Sequence, residues 1–405
     1  MRRLAGPVRV AHIVSHPIQY FAPLYKAIAE NEDIDLTVYF CSAASTGRYF
    51  DAGFGATVEW DVPLLDGYKF VFTKEARTRT IGGMGANWRL SLDVLGLVLK
   101  GRYDVVWIHG YNSVDAVVLA ALQGLGHRVV LRDEQTLLTD RSRLKRAIKR
   151  LILPFLYKNV CGMYIGRASR EYFIHYGTAP SKLFPAFYSL DNGWLQAQRS
   201  ALSGRRSELR RQFGIEGDEP VVLFCGKLID KKRPDLLLRA FAAVRARLKC
   251  HLLFVGDGPM RIALEQLGTS LGITDVHFAG FLNQSRIGEG YVASDMFVLP
   301  SAYDETWGLV VNEAMNFGLP IIVSSRVGCG PDLVHDGING YIFETDNQIA
   351  LTEAICKVLS VEGDGIVQFG KASSSIIEKY DVHQCARDIV SCCLQLGCKS
   401  EPADQ

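Results

Sequence analysis

Ten short runs of this chain are apolar almost throughout, instead of alternating apolar with polar residues, and they are interleaved with stretches of helical periodicity. Continuous apolar runs fit strands covered on both faces, the condition of a parallel sheet with helices packed above and below. The runs divide into two sets. Residues 9–15, 35–42, 104–110, 128–133 and 162–166 form the first, and residues 221–228, 251–256, 276–279, 296–300 and 321–325 the second. Between the sets, residues 196–220 (QAQRSALSGRRSELRRQFGIEGDEP) are polar and charge-rich and read as a connector with some helix followed by a turn. The expected fold is therefore α/β, with two doubly wound parallel-sheet domains over residues 1–195 and 196–380. A last helix, about 380–405, is a candidate to pack back onto the first domain.

Composition narrows the function classes. The chain has 405 residues, 48% of them hydrophobic and 22% charged, enough for two domains with separate cores. Lys plus Arg number 45 against 43 Asp plus Glu, and a net charge of +2 speaks against a nucleic-acid partner. The longest apolar stretch, residues 114–126, carries Asp115 and Gln123 and is shorter than the ~18–20 residues of a membrane span. The first residues, MRRLAGPVRVAHIV, invite a signal-peptide reading, but Arg9 and His12 interrupt the run and a first strand fits better. A cytoplasmic location is expected. Of the ten cysteines, Cys41, Cys225 and Cys250 fall in apparent strands or helices. Cys385, Cys392, Cys393 and Cys398 cluster late in the chain, but without a CxxC pair they read as packing thiols and not as a zinc site.

Residues 141–150 (RSRLKRAIKR) hold six basic residues and no acid, and LILPFLYK follows. Leu144, Ile148, Leu151, Ile152 and Phe155 recur at helical spacing. Two readings stay open. Residues 141–158 either lie on an anionic membrane surface, or pack their apolar stripe on the chain's own sheet and leave a solvated basic face.

The most informative stretch is 301–320, SAYDETWGLVVNEAMNFGLP. Its pattern predicts a helix starting near Thr306, with Glu305 just before it and Glu313 about two turns inside. Eight helical positions rise about 12 Å, comparable to the span from a nucleotide's ribose to a sugar beyond its diphosphate. The amides of Gly308, Leu309 and Val310 fall between the two acids, where a helix N-terminus favours an anion. By spacing alone, a capped surface helix with two unrelated glutamates is the plainer reading. A second cluster, residues 221–235 (VVLFCGKLIDKKRPD), ends a buried strand at Gly226 and continues into Lys227, Lys231, Lys232 and Arg233. Pro234 suits the first position of the next helix. Cations at the carboxyl end of a parallel strand stand where such folds bind ligands.

Together these stretches resemble the family-4 retaining glycosyltransferases of the GT-B fold, which carry a Glu, seven residues, then a Glu, here Glu305 and Glu313. The family's G-R-x4-K pattern falls on Gly226, Lys227 and Lys232, with Lys227 where the family usually has Arg. Gly256, Asp257 and Gly258 resemble its nucleotide-side loop, and VHFAGF, ending at Phe281, the strand and turn that hold the base. The similarity is strong from residue 221 to about 343 and weak before it. It implies two Rossmann-like domains facing a cleft, with the first supplying the acceptor. His109, ending the run VVWIHG, matches a histidine that points into the family's cleft. The loop SHPIQY departs from the glycines usual there, and His16, Gln19 and Tyr20 are its candidates for contact with acceptor or phosphate. Asp133 and Glu134 are further cleft candidates, with solvent-facing acids as the plainer reading.

The resemblance implies transfer of a hexose-type sugar from a nucleotide diphosphate sugar to a glycan or lipid-linked acceptor, in cell-surface polysaccharide synthesis. In that reading the leaving diphosphate takes the acceptor's proton on the same face, Lys227, Lys232 and the amides near Gly308 carry its charge, Glu305 positions the sugar and Glu313 grips ribose. Neither a cofactor nor a metal is expected. The competing readings are a catalytically silent homologue that serves as a binding subunit and a nucleotide-sugar epimerase of similar fold. A dehydrogenase is disfavoured because no G-x-G-x-x-G follows the first strand.

Overall fold

The computed structural model describes residues 6–74, 76, 88–110, 122, 128–138, 143–158 and 160–397. The run 114–126 lies outside these apart from Leu122, as do residues 1–5, 139–142 and Cys398. Within them all ten apolar runs are strands. The first half contains β1 (Val8–Val14), β2 (Ile34–Phe40), β3 (Tyr49–Asp51), β4 (Ala56–Val58), β5 (Lys69–Phe72), β6 (Val105–His109), β7 (Val129–Asp133), β8 (Cys161–Tyr164) and β9 (Leu183–Pro185). The second contains β10 (Val221–Cys225), β11 (His251–Val255), β12 (Val276–Gly280), β13 (Met296–Leu299), β14 (Ile321–Ser324) and β15 (Gly340–Phe343).

Two parallel sheets result, one in the order β5-β2-β1-β6-β7-β8-β9 and the other β12-β11-β10-β13-β14-β15. The central strands are covered on both sides: every residue of β10, β13 and β14 is buried. In each sheet the chain first winds outward one way, then returns to the centre and winds the other way. The reversal falls between β1 and β6 in the first sheet and between β10 and β13 in the second. Helices diverge at such a point and leave a crevice beyond the carboxyl ends of the strands.

His12, a polar residue in the middle of β1, is fully buried yet satisfied. Its ring stacks on Trp107 at 3.7 Å between centroids, and its nitrogens lie 3.2 Å from the Trp107 carbonyl and 3.0 Å from the Tyr25 hydroxyl. Burial holds its pKa well below the ordinary value, so it packs as a neutral ring.

The connector is helical, with Asn192–Leu202 and Arg206–Gln212 between the sheets. Pro234 opens the helix Pro234–Arg245 after β10. The last helix, Val382–Gly397, crosses back to pack on the helix Ala22–Ala29 and on β1 and β9 of the first domain. Cys385, Cys392 and Cys393 are buried in that contact, and burial raises all three thiol pKa values, Cys393 to about 12. The basic segment forms the helix Arg143–Tyr157. No described helix is long and apolar enough to cross a membrane.

Candidate active site

The two crevices face each other and enclose a cavity of about 480 Å³ lined by both domains. The local chain explains how the second domain shapes its wall. β10 is followed by Gly226, whose φ of +141° turns the chain sharply, and β11 by Gly256 directly beside it. A Cβ on Gly256 would lie 2.0 Å from the Gly226 carbonyl oxygen, and one on Gly258 2.5 Å from that of Leu228. Glycine is required there so that the two strand-end loops can touch. They are stitched by Gly226 N to Val255 O at 2.9 Å and Leu228 N to Asp257 O at 2.8 Å.

After β13 the chain runs through Glu305 and Trp307 before the helix Leu309–Asn316 begins at an N-cap Gly308 with φ of +102°. The helix therefore starts three residues later than the Thr306 expected from the pattern. Glu313 is one turn inside it and not two, so the eight-position helical rise does not describe the spacing of the two acids. Residues 306–308 instead form an irregular approach pinned by Gly328 N to Glu305 O (2.9 Å) and Cys329 N to Trp307 O (3.1 Å). Leu309 and Val310, whose first-turn amides a helix leaves without intrahelical partners, line the cavity with Gly308.

The two acids sit in contrasting surroundings. Glu305 accepts from Lys232 Nζ at 2.8 Å and Ser301 Oγ at 2.9 Å. Burial alone raises a carboxyl pKa, but the Lys232 and Lys231 charges reverse this, and Glu305 falls below its ordinary value. Glu313 is buried without a cation in contact and accepts from Tyr291 Oη at 2.6 Å and Tyr20 Oη at 3.1 Å. Burial dominates there and pushes its pKa up to about 7.

Thirteen of the sequence-selected site residues line this one cavity: Gly226, Lys227, Lys232, Gly256, Phe281, Glu305, Gly308, Leu309, Val310 and Glu313 from the second domain, and His16, Gln19 and Tyr20 from the first. Tyr20, selected for the acceptor side, reaches across to Glu313. His16 lies beside Ser15 Oγ at 2.9 Å, and burial lowers its pKa to about 4.

Three selected residues do not line the cavity. Asp257 turns its carboxylate onto the Gly258 amide (2.8 Å) and toward Arg261 (3.6 Å), while Gly258 packs on Leu228. His109 sits one layer behind, with Nε2 at 2.7 Å from Glu134 Oε1. Glu134 also accepts from the hydroxyl of Tyr188, which does line the cavity. Asp133 is not solvent-facing: it is 2% exposed, takes the Tyr157 hydroxyl and has its pKa raised to about 6 by burial, whereas the Glu134 side chain keeps 27% of its exposure.

The hairpin β3–β4 and the residues after it carry no sequence signal of a site, yet they reach the opposite wall. Asp51 accepts from Lys227 Nζ at 2.8 Å through both oxygens. Tyr188, Tyr291 and Asp51 are thus functional candidates that pattern alone does not reveal, because each gains its meaning from a partner 22 to 176 positions away or on the other domain.

The fold is that of the GT-B glycosyltransferases. A glycosyltransferase from Rickettsia africae aligns over 96% of this chain and 98% of its own with a TM-score of 0.73 at 12% identity. The Anabaena protein HepE, solved in complex with UDP and glucose, aligns over 95% and 98% with a TM-score of 0.70 at 18% identity. Residues 205–374 match the family described as "Glycosyl transferases group 1". An uncharacterized glycosyltransferase of Methanocaldococcus jannaschii is 27% identical over 305 residues, 73% of this chain and 76% of that one. A D-inositol 3-phosphate glycosyltransferase of Geodermatophilus obscurus is 34% identical over 205 residues, 47% of this chain and 43% of its own length. The family match covers residues 205–374 of the 405, and the shared architecture shows the GT-B fold.

Proposed function

We propose that this chain is a retaining, metal-independent glycosyltransferase of the Glu-x7-Glu type, taking a hexose-type sugar from a nucleotide diphosphate sugar to a glycan or lipid-linked acceptor. The observation that carries this reading is the convergence of Lys227, Lys232 and the amides of Gly308–Val310 on one cavity, with Glu305 and Glu313 on its wall. Fixed cations and helix-end amides meet a diphosphate without having to reorganise as charge develops on it. In the reaction the bond from the sugar's anomeric carbon to the phosphate oxygen breaks. The acceptor oxygen bonds that carbon on the same face, and its proton passes to the departing phosphate oxygen. Lys227 and Lys232 hold the departing charge, Glu305 orients sugar hydroxyls, and Glu313 takes the ribose. His16 and Gln19 face the acceptor, while His109, acting through Glu134 and Tyr188, positions that wall. HepE, a neighbour in fold, is described with UDP-glucose, which supports a nucleotide-sugar donor here.

The acceptor is read as part of cell-surface polysaccharide assembly, with the protein on the cytoplasmic face of the membrane. The test is a thermal-shift panel of nucleoside diphosphates and nucleotide sugars, each with and without a chelator. One nucleotide series is expected to stabilise the protein by about 2.7 kcal/mol at a hundredfold excess over its Kd, unchanged by the chelator. No stabilisation by any of them would leave the silent-homologue reading in its place, and loss of the shift with chelator would overturn metal independence.

A further inference from the structure

The hairpin β3–β4 belongs to the first domain by connection and to neither main sheet. Its tip and the segment after it are fastened to the second domain at several points. Asp51 grips Lys227. The Phe54 ring lies 4.8 Å from Lys227 Nζ and, in an edge contact, 4.8 Å from the Phe281 ring. Trp60 flanks the same phenylalanine at 6.3 Å. Farther along, Asn283 Nδ2 donates to the Glu59 carbonyl at 2.6 Å, and the Ser285 amide donates to Asp61 at 3.2 Å.

The turn is built for this approach. Asp51 Oδ1 accepts the amides of Gly53 (2.8 Å) and Phe54 (3.1 Å), which fixes the carboxylate toward the second domain. A Cβ on Gly53 would lie 2.6 Å from Lys227 Cδ, so glycine leaves the path for the lysine stem. Lys227 is held by a residue of the other domain, whereas Lys232 is held by Glu305 of its own. An anion from the first domain thus occupies a position that the proposed function gives to a diphosphate oxygen.

We propose that Asp51 is an affinity-determining residue of the donor site. It competes within the molecule for Lys227, so that a nucleoside diphosphate binds only by displacing it and freeing the hairpin from Phe281. This rests on the proposed function. Two carboxylate oxygens on one ammonium mimic what a phosphate offers, and a ligand must outcompete them before it contributes net affinity. Once displaced, the carboxylate stands beside the incoming negative charge, which drives the hairpin away from the donor wall.

The experiment measures binding of UDP and GDP by calorimetry and backbone hydrogen exchange over residues 49–61, in the full chain. Asp51→Asn is expected to bind the preferred nucleotide about fivefold more tightly than the natural chain, the size of a partly exposed ion pair. Glu59→Gln, on the same hairpin but paired with Arg48, is expected to bind like the natural chain. Exchange over residues 49–61 should rise when the nucleotide is added to the natural chain, and be raised already in free Asp51→Asn. Equal or weaker binding by Asp51→Asn, or exchange over 49–61 that falls on nucleotide addition, overturns the proposal while leaving the donor site standing. If no nucleoside diphosphate of the thermal-shift panel binds the natural chain, the proposed function itself falls.

Discussion

Glu313 shows how one buried carboxyl sets a stability cost that the site imposes. Its ordinary pKa is 4.5 and burial raises it to about 7 in the folded chain. Below pH 4.5 both folded and unfolded chains carry the proton, and stability does not change with pH through this group. Between those values the unfolded chain releases the proton first, so the stability that Glu313 supplies at low pH is lost as pH rises through about 7. Glu313→Gln keeps the shape and a partner for Tyr291 and Tyr20. It should melt higher than the natural chain at pH 8, by about 1–3 kcal/mol, with the gap closing by pH 4.5 in thermal scans. The same variant is expected to weaken nucleotide binding. Lys232→Ala makes a different statement, because the lysine is read as meeting charge that develops during reaction. Its kcat should fall about 100-fold with little change in KM. A kcat that survives the change would remove Lys232 from its assigned role.

At the scale of the element, the helix Arg143–Tyr157 bears on the two readings that its sequence left open. An apolar stripe packed on its own sheet would be covered, but Leu144 and Leu151 are each 71% exposed and Phe155 is 76% exposed. Leu153 and Tyr157 dip into the core, with Leu156 partly buried against it. Arg143, Arg146 and Arg150 line the same surface, so apolar and cationic groups face outward together. Outward-facing apolar and cationic groups are what an anionic membrane surface would meet, and we propose such a surface as the helix's partner. In vesicle co-sedimentation the chain should pellet with phosphatidylglycerol-containing vesicles and not with neutral ones. Replacing Leu151 and Phe155 with Ser should cut that binding about tenfold or more, at roughly 2 kcal/mol for the two side chains. Binding that ignores these substitutions would return the helix to the solvated reading. Most of the ten runs were legible because continuous burial writes itself into composition; β12, an edge strand with every residue half-buried, showed itself by its apolar residues alone. The remaining strands were not, since β5 and β15 are edges, β9 is three residues ending in Pro185, and β3–β4 lies outside both sheets. The acids were visible as a spacing, but the late start of the helix after them was not, because the irregular turn at Trp307–Gly308 is fixed by contacts with residues 328 and 329.

On the scale of the whole molecule, the chain passes from the first domain to the second and then returns. The helix Val382–Gly397 covers the helix Ala22–Ala29 and β1, with Val8 packed 2.6 Å from where a Gly397 Cβ would stand and Arg128 donating to the Gly397 carbonyl at 3.0 Å. A piece holding residues 1–195 therefore leaves the Leu24 and Ile28 side of its core open, whereas residues 196–380 enclose a complete second sheet. The shorter second piece should unfold cooperatively in denaturant and the first should not, until the peptide 380–397 is supplied in trans. Cooperative unfolding of 1–195 alone would show that the returning helix is dispensable. In a cell this arrangement inverts the order of manufacture. At about 5–20 residues per second, some ten to forty seconds pass between the emergence of β9 and that of the closing helix. The half begun first is the half finished last, and through that interval a nascent chain must shelter the unroofed flank of β1 from its neighbours.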